Sequence, residues 1–259
     1  MRGNDTPPLC DLPEGATLDR LAADRWIFQP RKGQRWSTDD LLLAWTGVET
    51  RPQARDVLDL GAGTGAVGLL ALVALGPAAR LTAVEIQSRS AALLRRTVAL
   101  QGWEDRVEVR EGDLRDPAVL GGRSGFDLVL ANPPYLPAGR ATASGIAARA
   151  RARLELDGEV ADWCLAAARV LASRGAFCLA FSASDPRPEA AARAAGLACR
   201  SRRPVVFRAG QPPALMLYGF ERDEGSEGPV EVHPPLEVRD ARGGRTEALR
   251  AVRRAMCVE

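Results

Sequence analysis

Histidine is almost absent from this chain of 259 residues, because His233 is the only one. Zinc sites built on several histidine ligands are therefore excluded. A Ser-His-Asp or Cys-His mechanism would have to use this one residue, whose position between Val232 and two prolines is typical of a loop. The five cysteines form no C-x-x-C pair and no metal-ligand spacing, so we expect reduced thiols and no metal.

Lysine is as scarce as histidine. Only one of the 35 basic residues, Lys32, is a lysine, and all the others are arginine. Arginine suits bidentate contacts with phosphate, although the many alanines make genomic base composition the simpler cause of the count. A formal net charge of +2 does not by itself require a nucleic-acid partner.

Long hydrophobic runs are also missing. The longest, residues 66–76, is far shorter than the roughly 20 apolar residues that a membrane-spanning helix needs. The N-terminal residues lack the charged and then apolar pattern of a secretory signal. The hydrophobic fraction of 46% still allows a substantial core. We therefore expect a cytoplasmic globular protein with no membrane partner.

The chemistry is predicted at four consecutive residues: Asn132, Pro133, Pro134 and Tyr135. They follow residues 126–131, an apolar run suited to a strand buried on both faces of a parallel sheet. The prolines end that strand and make the loop rigid. Amide and proline carbonyls can accept hydrogen bonds from a planar –NH2 group, and an aromatic ring can stack on it. The pattern favours a site for a planar amine, and an ordinary strand-end turn is the simpler alternative.

A glycine-rich turn precedes this motif. Residues 56–60 read as a strand and residues 66–75 as a helix, with Gly61, Gly63 and Gly65 between them. This order is the context of a nucleotide-binding fingerprint, and its letters also fit a nicotinamide enzyme. Asp59 argues against a dinucleotide, because a carboxylate there would repel the pyrophosphate but could serve an ammonium group such as that of S-adenosylmethionine.

Two further acidic residues follow the next two predicted strands. Glu85 ends the strand at residues 80–84 and is placed to accept hydrogen bonds from ribose hydroxyls. Asp113 follows the strand at residues 107–109 and could accept a hydrogen bond from an adenine amine. A plain turn aspartate is the alternative for Asp113.

Two basic segments could contact a charged partner. Residues 1–25 show no regular element, whereas residues 26–45 predict a short strand, a turn at residues 32–33 and a helix capped by Ser37 or Thr38. Lys32 and Arg35 either line the entrance to a ligand-binding site or lie in solvent. The long loop at residues 136–158 predicts phosphate contacts or a solvated charged loop, and its arginines are Arg140, Arg149, Arg151 and Arg153.

Together these motifs resemble the class I S-adenosylmethionine-dependent methyltransferases. The resemblance implies a Rossmann-like α/β fold whose seven-stranded sheet has only its last strand antiparallel. It also implies methylation of a planar nitrogen at the four residues 132–135. The cofactor-binding residues implied by the resemblance are Asp59, Gly61, Gly63, Gly65, Glu85, Asp113 and Asn132.

The segments at residues 29–44 and 234–247 resemble the bacterial tRNA(Val) adenine-N6 methyltransferases, and the resemblance extends from about residue 28 to 252. It implies a tRNA partner, contacted at the anticodon stem-loop, and we expect a monomer. Gln34, Ala152 and Gln211 depart from that family's pattern in segments expected to contact RNA. The alternatives are a glutamine-N5 methyltransferase of a translation release factor and a methyltransferase of another RNA base amine. A cofactor-binding module without activity would have no reason to keep Asn132 and Tyr135 together.

The chain is expected to divide into three parts. Residues 1–50 are predicted to form an N-terminal extension with a hairpin and helix lid. Residues 51–222 are predicted to form the methyltransferase domain, and residues 223–259 a C-terminal tail packed on it.

Overall fold

The computed structural model describes residues 11–133, 159–225 and 228–258. Its strands are β1 (Ala16–Ala22), β2 (Arg25–Pro30), β3 (Asp56–Leu60), β4 (Arg80–Glu85), β5 (Val107–Glu111), β6 (Phe126–Ala131), β7 (Leu171–Ser182), β8 (Leu197–Val206), β9 (Leu215–Arg222), β10 (Glu231–Val232) and β11 (Leu236–Glu237). Its helices are α1 (Thr38–Thr50), α2 (Ala66–Leu75), α3 (Ser88–Gln101), α4 (Val160–Val170), α5 (Arg187–Ala194) and α6 (Glu247–Ala255).

The main sheet has the strand order β10-β8-β9-β7-β6-β3-β4-β5, with β11 also paired to β8. Strands β3 to β7 pair in parallel, and β9 is antiparallel to both β7 and β8. Strand β8 therefore runs in the same direction as β7. The predicted seven-stranded sheet with an antiparallel last strand is confirmed in β3 to β9. The two-residue strands β10 and β11 extend its edge.

The central strands are buried on both faces because helices cover both faces of a parallel sheet. Val57 and Leu128 point into the core cluster that contains helix α2, whereas Leu58 and Val129 point into the cluster that contains helix α4. All four side chains are fully buried. Alternate residues of one strand therefore hold the two helical layers to the same sheet.

The N-terminal hairpin differs from the prediction. Strands β1 and β2 pair antiparallel around a turn at residues 23–24, whereas residues 1–25 were expected to contain no regular element. The four central residues of β1, 17–20, are only half-buried, so no clean alternation of apolar and polar side chains marks the strand in the sequence. Residues 31–37 then link β2 to α1. The Phe28 N–H donates to Thr97 Oγ1 at 3.0 Å, which fastens the hairpin to α3.

Helix α1 begins at the predicted cap. Ser37 Oγ accepts a hydrogen bond from the Asp39 N–H, and Asp40 Oδ2 accepts one from the Ser37 N–H at 2.8 Å. This reciprocal arrangement is a capping box. The helix packs against α2, β7 and β9. None of the helices in the described ranges has the length and apolarity that crossing a membrane requires.

Candidate active site

The carboxyl ends of three parallel strands bring the predicted motifs to one edge of the sheet. Leu60 at the end of β3 pairs with Val84 of β4 on one side and with Ala131 of β6 on the other. The next residue along each strand is Gly61, Glu85 or Asn132. The register alone therefore places the glycine turn, the acidic residue and the asparagine side by side.

The glycine turn is held open by backbone conformations that favour glycine. Gly63 has φ +57° and Gly65 has φ +91°. A Cβ at Gly65 would clash with Leu94 Cδ1, whereas a Cβ at Gly63 would meet nothing within 4 Å. Gly65 is therefore needed for packing between α2 and α3. Gly63 faces space that a ligand could fill.

Glu85 is almost fully buried at the end of β4. Its Oε2 accepts a hydrogen bond from the Gly63 N–H at 2.6 Å, and its Oε1 accepts one from the Gln87 N–H at 2.7 Å. A carboxylate oxygen can accept more than one hydrogen bond. Glu85 can therefore shape the glycine turn and still accept from ribose hydroxyls, as the sequence predicts.

Asp59 turns inward from β3 toward α2. Its Oδ2 accepts a hydrogen bond at 2.9 Å from the N–H of Gly68, the third residue of that helix. Burial, together with the charges of Asp40 and Glu85, raises the pKa of Asp59 to about 8, and the hydrogen bond from Gly68 opposes the rise. The carboxylate therefore caps the helix behind the glycine turn, and its predicted contact with the cofactor stays a prediction.

Asn132 is fixed by a residue that the sequence analysis did not assign to the site. Its Nδ2 donates to Asp40 Oδ1 at 2.7 Å. Burial raises the pKa of Asp40 to about 6 and the nearby charge of Asp39 also raises it, while hydrogen bonds from Asn132 and Ser37 oppose the rise. Asp40 lies in the first turn of α1, where the sequence predicts only a capped helix. Nothing in the sequence pairs it with a residue 92 positions away.

Asp113 lies at the same edge, just after β5. The Gly112 N–H donates to the Glu85 carbonyl at 3.0 Å, which ties the two strand ends together. Asp113 Oδ1 accepts from both the backbone N–H and Nε of Arg115 at 2.9 Å. Hydrogen bonding from Arg115 lowers the pKa of Asp113, which keeps it ionised as an acceptor.

The predicted RNA-contact residues differ in their placement. Lys32 is exposed in the link between β2 and α1. Arg35 is also exposed, but it forms an ion pair with Asp19 at 2.8 Å and donates to Thr17 Oγ1 at 2.9 Å, so its charge is directed at the hairpin. Pro133 is buried after β6. The other residues assigned to the site or to RNA lie outside the described residues: Pro134, Tyr135, Arg140, Arg149, Arg151 and Arg153.

The electrostatics of this edge favour a cationic ligand. Asp40, Asp59 and Glu85 lie close enough to raise the pKa of Asp59 by mutual repulsion. A ligand that carries positive charge would relieve that repulsion. Beside the turn, the buried Nε1 of Trp163 has no hydrogen-bond partner in the described ranges and would lie 3.5 Å from a Cβ at Gly61. The site therefore fits S-adenosylmethionine, which combines sulfonium and ammonium charges with groups that accept hydrogen bonds.

Comparison with known proteins also leads to methyltransferases. The family model described as the methyltransferase small domain matches residues 39–182. A protein of Shewanella amazonensis named tRNA1(Val) (adenine(37)-N6)-methyltransferase is 33% identical over 224 residues, which cover 86% of this chain and 91% of that relative. A protein of the same name from Actinobacillus pleuropneumoniae is 28% identical over 232 residues, covering 89% and 93% of the two chains.

Solved structures support the fold. A protein of Agrobacterium tumefaciens described as a predicted O-methyltransferase superposes with a TM-score of 0.61 at 24% identity, covering 85% of this chain and 98% of that one. A ribosomal protein L11 methylase from Lactobacillus delbrueckii gives a TM-score of 0.51 at 18% identity, covering 73% and 81%. At these identities the likeness concerns the fold alone.

The fold and the site at its carboxyl edge define an S-adenosylmethionine-dependent methyltransferase. More particularly, the chain belongs to the methyltransferase small domain family and, within it, to the family of bacterial tRNA1(Val) adenine-N6 methyltransferases. The predicted fold class, cofactor and family are thereby confirmed. In the described ranges, no group of three or more His, Cys, Asp or Glu residues could hold a metal ion.

Proposed function

We propose that this protein transfers a methyl group from S-adenosylmethionine to the exocyclic N6 amine of adenine in RNA, and that the RNA is a tRNA methylated beside its anticodon. The names of the relatives support this substrate, because they specify adenine 37 of tRNA1(Val). The anticodon stem-loop is then the part of the tRNA that reaches the site.

The orientation of the Asn132 amide carries the proposal. An ionised carboxylate can only accept hydrogen bonds, so the amide must present its –NH2 group to Asp40, and it does so at 2.7 Å. The amide oxygen is then the end that is left to meet a substrate. An oxygen held in this way is the partner that an exocyclic amine N–H requires.

The protein contributes mainly by positioning. When bound, the cofactor would supply a methyl group that its sulfonium already activates; the bond from sulfur to methyl would break to leave a neutral thioether, and the methylated amine would release one proton to water. The Asn132 Oδ1 and the Pro133 carbonyl would accept the two amine hydrogens, which turns the nitrogen lone pair toward the methyl group. Tyr135 would stack on the base, which must leave its own stack to enter and does so most easily from a loop. Positioning of this kind can supply much of the barrier reduction, so the scarcity of histidine is no obstacle.

The cofactor would be held by the other strand ends. Glu85 would accept from the ribose hydroxyls, and Asp113 would accept from the adenine amine. The open space at Gly63 would admit the ligand against the turn. Asp59, which is hydrogen-bonded to α2 and protonated in the free protein below about pH 8, would ionise when the ammonium group binds beside it, because a nearby positive charge favours the carboxylate.

Three broader expectations stay predictions alongside this proposal. They are the cytoplasmic location, the monomeric state and the division into an N-terminal lid, a methyltransferase domain and a C-terminal tail. Size-exclusion chromatography with light scattering on the full chain would test the monomer.

The alternatives use the same chemistry on another substrate. A glutamine side-chain amide presents the same planar –NH2 group to Asn132, and so does another base amine of RNA. Methyl transfer should therefore be measured on a valine-tRNA anticodon stem-loop and on a release-factor peptide that contains the target glutamine. A stem-loop with guanine in place of the target adenine is the matched control. Methylation of the peptide and not of the RNA would assign the protein to the alternative.

Replacing Asn132 with alanine tests the site itself. We expect turnover to fall by about two or more orders of magnitude, roughly the loss caused by removing one positioned hydrogen-bonding group. Cofactor affinity, measured by calorimetry, should remain nearly unchanged, because the turn and Glu85 stay in place. A small loss of turnover would mean that the amine is held elsewhere.

A further inference from the structure

A group of five arginines gathers where the chain leaves the main sheet near its C-terminal end. They are Arg208, Arg239, Arg242, Arg245 and Arg253, called here the C-terminal arginine cluster. The Ala209 N–H donates to the Arg239 carbonyl at 2.8 Å, and Arg239 forms a β-bridge with Arg245. Burial lowers the pKa of Arg253, and the nearby charge of Arg245 lowers it further. The backbone pairing therefore gathers these arginines on one turn, and the charges of Arg245 and Arg253 repel each other.

The cluster lacks acidic partners. In the described ranges none of its members forms an ion pair, and all but Arg253 are exposed. The one carboxylate in the turn, Asp240, accepts hydrogen bonds through Oδ1 from the N–H groups of Arg242 and Gly244, both at 2.9 Å. Two neighbours in sequence behave differently, because Arg250 and Arg254 both pair with Glu247. Like charges that are crowded and unpaired favour an anionic partner.

The cluster lies at the same edge of the sheet as Asn132. Strand β8 runs parallel to β6, and β11 pairs with the carboxyl end of β8 at Val205 and Val206. The Val238 N–H continues this pairing to the Val206 carbonyl at 2.8 Å, so the turn at residues 239–245 emerges at that edge. Three strand spacings separate β6 from β8, which is about 14 Å at ~4.8 Å for each spacing. One folded RNA can cover both places.

We infer that the C-terminal arginine cluster is a phosphate-binding surface that holds the backbone of the RNA substrate while its target base enters the site at Asn132. Guanidinium groups bind phosphate through paired N–H donors, and each contact releases counterions from the RNA. Backbone contacts fix where the RNA lies without reading its sequence. The inference rests on the proposed function and names a surface that the sequence did not indicate.

The test is a triple variant, Arg208→Gln, Arg242→Gln and Arg245→Gln. Arg239 is left in place because its Nη1 donates to the Gly243 carbonyl and holds the turn. Binding of a valine-tRNA transcript is measured over a range of salt concentrations. The log–log salt slope should fall by about one for each replaced arginine that binds a phosphate in the wild type. Affinity for unrelated RNA should fall by the same factor, and cofactor affinity should not change.

Kinetics supply a second measurement. The KM for RNA should rise, while kcat at saturating RNA stays within about twofold, because the cluster does not touch the reacting atoms. The matched control is Arg55→Gln. Arg55 is also exposed, but it lies just before β3, at the opposite edge of the sheet, and its side chain has no ion pair in the described part of the chain. A triple lysine variant should keep most of the salt slope, because it keeps the charge.

The possible failures are distinguishable. If the wild type methylates RNA and the triple glutamine variant has the same slope and KM as the Arg55 control, the cluster does not bind the substrate and the inference is wrong. If the wild type binds S-adenosylmethionine but neither binds nor methylates RNA, both the proposed function and this inference are wrong. Arginine-dependent binding to vesicles of anionic lipid, combined with arginine-independent binding to RNA, would assign the cluster to a membrane surface instead.

Discussion

At the scale of single residues, the geometry of the site depends on what a carboxylate can and cannot do. Asp40 Oδ1 accepts from Asn132 Nδ2 at 2.7 Å and fixes which end of the amide faces outward. A protonated Asp40 could donate instead, and it would then hold the amide oxygen in place of the –NH2 group. The ionisation of one residue thereby decides whether the substrate meets an acceptor or a donor.

A pH profile tests this dependence. The pKa of Asp40 is raised to about 6, mainly by burial, so turnover should fall as the pH drops through about 6. The acidic groups that face Asp40 are Asp39 on the same helix, whose charge opposes its ionisation, and Asp59 on β3, which is still protonated near pH 6. Asp40→Asn should lower turnover by about 10- to 100-fold, the range typical of residues that orient a ligand-binding group.

The shape of the pH profile separates the role of Asp40 in orienting the Asn132 amide from a merely structural role. In the Asp40→Asn variant the fall in turnover below pH 6 should disappear, because no group near the amide then changes protonation there. Ser37→Ala is the control, because it removes the other half of the capping box and destabilises α1 by about 0.5–2 kcal/mol. It should leave the fall in turnover below pH 6 in place. If turnover of Asp40→Asn still falls below pH 6, the pH dependence belongs to another group.

At the scale of elements, the turn between β3 and α2 contains two glycines with different structural roles. Both have positive φ, so any other residue would pay a similar backbone cost of about 1–2 kcal/mol at either position. Their surroundings differ, because a Cβ at Gly65 would press on Leu94 and one at Gly63 would meet open space. One glycine serves packing and the other leaves room for a ligand.

This difference gives a matched pair of variants. Gly65→Ala should lower the free energy of unfolding by more than Gly63→Ala does, because it adds overpacking of about 1–3 kcal/mol to the backbone cost. Gly63→Ala should fold and show the larger loss of S-adenosylmethionine affinity relative to its loss of stability. Urea unfolding and calorimetry measure the two quantities. Equal losses of stability in both variants would contradict the assignment of Gly65 to packing.

At the scale of the whole molecule, the carboxylates at the site make folding depend on pH. Burial, followed by the charges of Asp40 and Glu85, raises the pKa of Asp59 from 3.8 to about 8. The folded protein therefore holds this proton at pH values where the unfolded chain has released it. Stability from the protonated form is fully present below about pH 4 and is lost as the pH rises through about 8.

Asp59→Asn should remove this dependence. Asparagine is neutral throughout, and its side-chain oxygen can still accept from the Gly68 N–H. The variant should therefore gain stability relative to the wild type as the pH rises from about 4 to 8. Urea unfolding in the absence of cofactor at several pH values measures the difference. A difference that stays constant with pH would show that Asp59 titrates in the folded protein as it does in the unfolded chain.

The sequence by itself determined the sheet and the position of its motifs. Strands β3, β4 and β6 follow from apolar runs bounded by glycine, proline and charged residues, because a strand buried between two helical layers tolerates few polar side chains. The glycine turn, Glu85 and Asn132 each end such a run. Parallel strands must present their carboxyl ends at one edge, so local pattern alone was enough to place these residues together.

Only the tertiary structure decided how the side chains are used. Strand β1 was not predicted because its four central residues are only half-buried, so no clean alternation of apolar and polar side chains marks it. Asp40 accepts a hydrogen bond from Asn132, Asp59 caps α2 and Arg35 pairs with Asp19, and each contact joins two different parts of the fold. The C-terminal arginines gather at the site edge because β11 pairs with β8. These facts depend on which side chains meet in space and how deeply they are buried, which pattern and composition do not contain.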